Sequence, residues 1–589
     1  MSTLIGALLA QAGLAADSRV ESLLAQMTLD EKIGQMVQPD VHALKTPADI
    51  QKYFLGSILN GGGGGPSNNV PQVWWQVVSD YQSWALKTRL KIPLLYGVDA
   101  VHGHNNVDGA VIFPHNIGLG AAHNPDLVEQ AAHITALEVA GTGIRWAFAP
   151  CIAVAQNERW GRTYESFGDS PQLVAQLGAA AVRGFQGGQL SDASTVLACA
   201  KHFIGDGGTE NGVDQGNDVC DEATLRKLYL PPYQAAIQAG VGSIMVSYSS
   251  WNGKKMHANQ HLLTDVLKGE LGFTGLLVSD WAAIDQISPD YKTDVESSIN
   301  AGLDMIMIPY GPGQPNNFVE FIHDLKQLVA ENKVPLARID DAVRRILRIK
   351  FQMGLFANPY PDPALTAAIG NAAHRAVARE CVRQSLVPLK NDQHTLPLAK
   401  NLKRLAVVGG AADDIGIQCG GWTITWQGQS GNTIHGGTTI LSAIRHTVSP
   451  GTKVDFSRDG NDLTGADAVV VVVGELPYAE MKGDRTDLRL TAKDVALVEK
   501  AKSAGAPVVT VLLSGRPLIL GRALDASDAF LAAWLPGTEG QGVADVLFGD
   551  YQPTGRLPRP WPRSNDGAPT APTQAAATPQ FPPGYSFNP

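Results

Sequence analysis

Positive charge is scarce in this sequence: 46 Lys and Arg against 56 Asp and Glu leave a formal net charge of -10 over 589 residues. That balance builds no basic face of the nucleic-acid-binding type, and no apolar run reaches the length of a bilayer span. Neither nucleic acid nor membrane insertion is expected. Cysteine is sparse as well. Cys151, Cys199, Cys220, Cys381 and Cys419 form no C-x-x-C pair and, being five, cannot all pair within one chain, so neither a disulfide scaffold nor a metal knuckle is expected. Phosphate-binding signatures are missing too. VVGGAADD at 407–414 lacks the G-x-G-x-x-G spacing, and the glycine run Gly61–Gly65 lacks the lysine of a phosphate loop. The run reads instead as a flexible or tightly turning loop after a strand. A nucleotide-dependent two-domain enzyme therefore has no motif to support it. The N-terminal MSTLIGALLAQAGLAAD has small residues at Ala15 and Ala16 but no Lys or Arg before Arg19, which leaves a trimmed signal or a simple arm, with a lean towards periplasmic or secreted placement.

What is present is length and alternation. A chain of 589 residues exceeds what one hydrophobic core organises and implies two domains. Apolar, β-branched runs recur between amphipathic stretches: GSILNGG near 56, LLYGVDA at 94–100, WAFAPCIAV at 146–154, TVLACAKHF at 195–203, SIMVSYSS at 243–250, GLLVSDW at 275–281 and DMIMIP at 304–309. Strands alternating with helices predict a parallel sheet, and this number approaches a (β/α)8 barrel. A helical stripe at 339–356 is followed by ANPYPDPALTAAIG, whose X-Pro turns mark a linker. A second alternation follows, with RLAVVGG at 404–410, ADAVVVVVGEL at 466–476, PVVTVLLSG at 507–515 and FLAAWLPG at 530–537 predicting a second, sandwiched parallel sheet. The expected fold is α/β: a (β/α)8 TIM-like barrel over 1–357, a linker over 358–373, and an α/β sandwich over 374–589. Its Ala/Pro/Thr-rich tail is expected to wrap the surface or stay flexible.

Several barrel runs end in groups that chemistry can use: Asp99, Lys201 with His202, Tyr248, and Asp280 with Trp281. The C-terminal ends of barrel strands are where active sites are built. Any one of these residues alone would be an ordinary strand end turning towards solvent; the set points to a site. Cleaving a glycosidic bond needs a carboxylate at the anomeric carbon and a proton donor at the leaving oxygen. Asp280 offers the first, and Trp281 offers a face for a sugar ring. Trp422 and Trp426 in GGWTITWQG add aromatic surface from the second domain, or anchor the two domains to each other.

Further motifs are MTLDEKIGQM at 27–36, GVDAVHGHNN at 97–106, FPHNIGLGA at 113–121, ERWGRTYESFGD at 158–169, KHFIGDGGT at 201–209, VSDW at 278–281 and WLPGTEGQGVADVLFGDYQPTGRLP at 534–558. In number and order these resemble glycoside hydrolase family 3, of the two-domain β-glucosidase and exo-β-glucanase type. The resemblance covers nearly the whole chain and implies a retaining hydrolase with Asp280 as nucleophile. Asp99, Arg162, Lys201 and His202 would hold the terminal glucosyl unit, and Tyr248 would orient Asp280. In this family the acid/base comes from the second domain. The EMKGDR context resembles the family's loop, which selects Glu480, with Glu475 as runner-up. Trp281 and Trp426 would clamp the next sugar. The implied substrates are β-linked gluco-oligosaccharides or aryl β-glucosides, with no metal or organic cofactor and the two carboxyls about 5 to 5.5 Å apart. Asp206 stands where the family's hexosaminidases carry a histidine, which favours glucosidase over hexosaminidase and leaves β-xylosidase as an alternative. A non-catalytic glycan-binding protein on the same scaffold is the competing class, and retention of both carboxylates favours catalysis over it.

Overall fold

The computed structural model describes residues 18–360, 362–567 and 578–587. The N-terminal segment with its export reading and most of the Ala/Pro/Thr-rich stretch lie outside them. Eight parallel strands build the first domain: β1 (Val37–Pro39), β2 (Ser57–Asn60), β3 (Leu95–Val98), β4 (Trp146–Ala147), β5 (Leu197–Phe203), β6 (Ser243–Val246), β7 (Leu276–Val278) and β8 (Ile306–Ile308). Strands β2 to β7 form one continuous sheet in that order, and β8 pairs with β1. Single parallel bridges, Asp40 to Leu59 and Val278 to Met305, close the ring. The result is a TIM-like barrel whose strands are covered on both faces and so read as unbroken apolar runs. Strand β1 is the one the sequence reading passes over. It is three residues long, and its central Gln38 is buried with Nε2 donating to the Ser57 hydroxyl at 2.7 Å, so no hydrophobic run announces it.

The crossover helices start where their capping residues dictate. Asn124, Ser170 and Asp221 each accept a backbone N–H from the third residue of the helix that follows. The last barrel helix, Leu336–Gln352, buries Ile339, Val343, Ile346 and Leu347 along one stripe. Among the described residues, no helix is long and apolar enough to cross a membrane.

The second domain holds a six-stranded sheet made of β9 (Val387–Asn391), β10 (Arg404–Val408), β11 (Lys453–Ser457), β12 (Ala468–Gly474), β13 (Val508–Leu513) and β14 (Ala529–Trp534). Their spatial order is β9-β14-β13-β12-β10-β11. The expectation of a purely parallel sheet needs correction, because β9 runs antiparallel to β14. Pro388 cannot donate to a ladder and the register shifts beside it, which suits an edge strand only. The other edge, β11, is polar and half exposed, and it gave no apolar signal.

In β12, alternate valines serve different cores. Val470 and Val472 pack with Ile440 and Leu547 on the outer face, whereas Val469, Val471 and Val473 share a cluster with Val101, Ile117, Ala121 and Tyr164 of the barrel. One face of the sheet is therefore finished by the barrel. Helix Ala372–Ser385 reinforces the joint, lying against barrel helices Asn116–Ala122 and Pro125–Gly141 and against Gln541–Leu547 of the second domain.

Leu347→Ala empties a fully buried position in the last barrel helix and should cost about 2 to 5 kcal/mol. A urea titration followed by tryptophan fluorescence should show the earliest transition moved to lower denaturant; an unmoved midpoint would contradict the packing.

Candidate active site

Strand ends deliver the polar groups to the barrel mouth. Asp99 directly follows β3, and its backbone carbonyl accepts from Asn105 Nδ2 at 2.8 Å and Asn106 Nδ2 at 2.9 Å, which explains the NN pair of GVDAVHGHNN. Its carboxylate receives Lys201 Nζ at 2.7 Å. Burial works against the charge of Lys201, but Asp99 outweighs it and the ammonium stays protonated, with its pKa raised. Arg162, in the loop after β4, is buried and held by Glu165 through two bonds of 2.9 Å. Its Nη2 lies 3.1 Å from His202 Nε2, and its Nη1 lies 3.3 Å from Glu480 of the second domain.

Because arginine can only donate, His202 Nε2 must accept, so the imidazole proton sits on Nδ1 and is donated to Asp206 at 2.9 Å. Burial and the neighbouring Arg162 and Lys201 hold this histidine well below its usual range, so it is neutral. Its Nε2 lies 3.6 Å from Asp280 Oδ2. Asp280 follows β7, and its Oδ1 accepts the Trp281 amide at 2.7 Å. Tyr248 lines the same cavity, but among the described residues its hydroxyl makes no hydrogen bond to Asp280. The contacts that the Asp280 carboxylate does make are the Trp281 amide on one oxygen and the ring edge of His202 facing the other.

The second domain supplies the opposite wall. Trp422 is buried, donates its indole N–H to Glu165 at 3.1 Å, and lies under Lys201 Nζ at 5.6 Å from its ring centre. Two stacked barrel histidines hold its loop, His102 at 3.2 Å from the Trp422 carbonyl and His115 at 3.0 Å from that of Gly421. Trp422 is thus both a domain anchor and a wall of the site. Trp281 and Trp426 also line the cavity, separated by the glycine run. A Cβ on Gly61 would sit 2.6 Å from the Trp281 ring and one on Gly62 2.9 Å from Trp426, so the glycines let a backbone pass between two indoles. Glu475 is elsewhere. Its carboxylate accepts from Tyr478 at 2.9 Å and pairs with Arg485 and Arg516, each at 3.3 Å, which makes it a structural acid of the sheet end.

Together these residues enclose a cavity of about 570 Å³ that brings Asp99, Arg162, Lys201, His202, Tyr248, Asp280, Trp281, Trp426 and Glu480 to one place. Comparison with known proteins then decides the lineage. Residues 28–349 match the glycosyl hydrolase family 3 N terminal domain and residues 386–588 its C-terminal domain. The chain belongs to glycosyl hydrolase family 3. It is 42% identical to an exo-1,3/1,4-β-glucanase from a Pseudoalteromonas species, with a TM-score of 0.91 over 97% of this chain and 74% of that one. A lysosomal β-glucosidase of Dictyostelium discoideum is 36% identical over 93% of this chain and 72% of its own. A β-xylosidase of Formosa agariphila is 32% identical over 93% and 73% respectively.

Within this family 3 cavity the two nearby carboxyls differ in ionisation. Burial raises Asp280 to about 6, opposed by Arg162, the Trp281 amide and Lys201. Burial raises Glu480 further, to about 8; Arg162 opposes this, while the charges of Asp214 and Asp280 push it up. At neutral pH one group is an anion and the other a proton donor, the pairing that acid-assisted displacement requires. Sequence reasoning missed Glu165, Asp214 and Asp40. Glu165 lies inside ERWGRTYESFGD, and its spacing of three from Arg162 was the available signal. Asp40 stays hidden because the strand before it is hidden; it accepts the Gly61 amide at 2.8 Å and so fixes the glycine loop.

Selective ¹⁵N-histidine labelling should show His202 as the neutral Nδ1–H tautomer from about pH 5 to 8. A titration midpoint inside that window would contradict the arginine-directed assignment.

Proposed function

We propose that the protein is a retaining, exo-acting β-glucosidase or β-glucan glucohydrolase that removes glucosyl units from the non-reducing ends of β-gluco-oligosaccharides and aryl β-glucosides. The observation that carries this reading is the pair Asp280 and Glu480: two carboxyls from different domains, facing one cavity, with ionisation split around neutrality. Asp99, Lys201 and Arg162 supply acceptors and donors for the hydroxyls of a single terminal sugar, His202 packs beside them with both ring nitrogens held by Arg162 and Asp206, and Trp281 and Trp426 flank the next position.

In the first step an Asp280 oxygen bonds to the anomeric carbon as the bond to the leaving oxygen breaks, and the Glu480 proton passes to that oxygen. In the second, water gives its proton to Glu480 and bonds to the anomeric carbon, and the Asp280 carboxylate departs. Arg162 keeps the seat of Glu480 polar while leaving it protonated. Support for glucose as the sugar comes from the exo-1,3/1,4-β-glucanase and β-glucosidase relatives. The β-xylosidase relative favours a second reading with the same chemistry on a pentosyl unit. Comparing kcat/KM on 4-nitrophenyl β-glucoside and β-xyloside separates the two.

Asp280→Ala should be inactive on an aryl β-glucoside. Glu480→Ala should keep forming the glycosyl enzyme from a substrate with a good leaving group, and azide should then release β-glucosyl azide. A Glu480→Ala enzyme indistinguishable from the parent would move the proton donor elsewhere.

The ionisation split also sets the pH dependence. Activity rises as Asp280 loses its proton near 6 and falls as Glu480 loses its own near 8, so kcat/KM should be bell-shaped between those limbs. In Glu480→Gln, with an aryl glucoside that needs no protonation to depart, the alkaline limb should vanish while the acid limb remains. Persistence of the alkaline limb would assign it to another group.

A further inference from the structure

Glu480 itself is poorly held. Its carboxylate meets Arg162 at 3.3 Å, Met481 beside it is exposed, and its own backbone is in the left-handed region at φ 53°. A non-glycine residue stays in that conformation only where its surroundings over-determine it. The surroundings lie three and four residues further on. Asp484 Oδ1 accepts the Gly161 amide and Oδ2 the Asp214 amide, both at 2.8 Å, so one carboxylate of the second domain ties together two separate loops of the barrel mouth. Behind it, Arg516 is fully buried, donates Nη2 to the Gly483 carbonyl at 2.6 Å, and donates Nη1 to the barrel carbonyl of Glu158 at 2.9 Å. Its Nε reaches the Tyr478 hydroxyl at 2.9 Å, which is in turn held by Glu475. The backbones meet without side chains between them: a Cβ on Gly161 would lie 1.9 Å from the Glu480 carbonyl oxygen.

We propose that Asp484 and Arg516 are positioning residues that set the reach of Glu480 over the barrel, acting through the Gly161 and Gly483 contact, so that the proton donor is placed by the docking of the two domains. This rests on the reading of Glu480 as acid/base. Asp484 is suited to the task because the two amides it accepts belong to different barrel loops, Gly161 in the one after β4 and Asp214 in the one after β5. The same bond aligns Asp214, whose other anchor is the Trp160 indole at 2.9 Å and whose Oδ2 is buried without a hydrogen-bond partner among the described residues. Burial raises the pKa of Asp214 itself, and such negative charge as it carries favours the protonated form of Glu480. Arg516 clamps the loop from the other side, its donors divided between carbonyls of both domains.

The test exploits leaving-group dependence, which a purely structural role would not alter. Asp484→Asn keeps the shape but presents an NH₂ to one of the two amides, and Gly161→Ala inserts a methyl where the Glu480 carbonyl lies. On 2,4-dinitrophenyl and methyl β-glycosides of the preferred sugar, each variant should change kcat/KM for the former by no more than about threefold. Each should lower kcat/KM for the latter by about tenfold to a hundredfold, in the range of lost general acid catalysis. The melting temperature of Asp484→Asn should stay within a few degrees of the parent. Glu480→Gln serves as reference. If it discriminates between the substrates and both other variants lower the two rates equally or not at all, the positioning role of Asp484 and of the Gly161 contact is overturned while the acid assignment stands. If Glu480→Gln fails to discriminate, the acid assignment falls and this proposal falls with it.

Discussion

The guanidinium of Arg162 is the point on which both domains and the candidate chemistry converge. It is buried, donates two bonds to Glu165, faces the acceptor nitrogen of His202, and meets Glu480 across the domain boundary. A cation so placed is kept protonated by the acids around it, against the cost of burial, and its pKa lies well above the usual value. Its fixed charge also orders its neighbours. It forces His202 to accept at Nε2, opposes the rise in the pKa of Asp280, and stops Glu480 from becoming a fully isolated buried acid. An arginine serves here because its planar fork can bind Glu165 with two parallel bonds and still offer a third nitrogen to the other domain.

That arrangement depends on a joint between barrel and sheet that is hydrophobic first and polar second. Val469, Val471 and Val473 would leave one face of the second sheet exposed if Val101, Ile117, Ala121 and Tyr164 did not cover it. With the domains fixed by that shared core, short polar links settle the details: His102 and His115 on the tryptophan loop, Asp484 on two barrel amides, Arg516 on carbonyls of both sides. Glycine allows the close approaches. The Gly61–Gly65 run, which suggests flexibility in isolation, passes between Trp281 and Trp426 at Gly61 and Gly62, where a Cβ would collide with one indole residue or the other.

The strand-end acids were legible in the sequence for a physical reason. A buried parallel strand is mostly apolar, so the first charged residue after it stands out; Asp99 and Asp280 stand just past that boundary, and Lys201 breaks the apolar run inside the end of β5. The same logic explains what was missed. Strand β1 carries Gln38 at its centre and β9 carries Pro388, so neither shows an apolar run; β11 is a half-exposed edge. The positioning roles of Asp484 and Arg516 could not be read, because their partners across the domain boundary are backbone groups 270 to 358 positions away, and a backbone group leaves no trace in residue identity. Glu165 was within reach, since an acid three residues after an arginine is a common pair, but its value lies in what the arginine then does.

Placing the two carboxyls on separate domains has a consequence for their ionisation. Asp280 is an acid of the barrel, and its surroundings of Arg162, Lys201 and the Trp281 amide come with that domain. The largest influence on Glu480 is burial, and that burial exists only because the loop at 475–485 lies against the barrel mouth. Docking therefore does two things at once: it brings the second carboxyl to the cavity, and it removes the water that would otherwise let that carboxyl ionise. A loop that lifted away would lose the position of Glu480 and its proton together, because desolvation and proximity arise from the same contact. The barrel alone holds the anion; the closed pair of domains creates the acid.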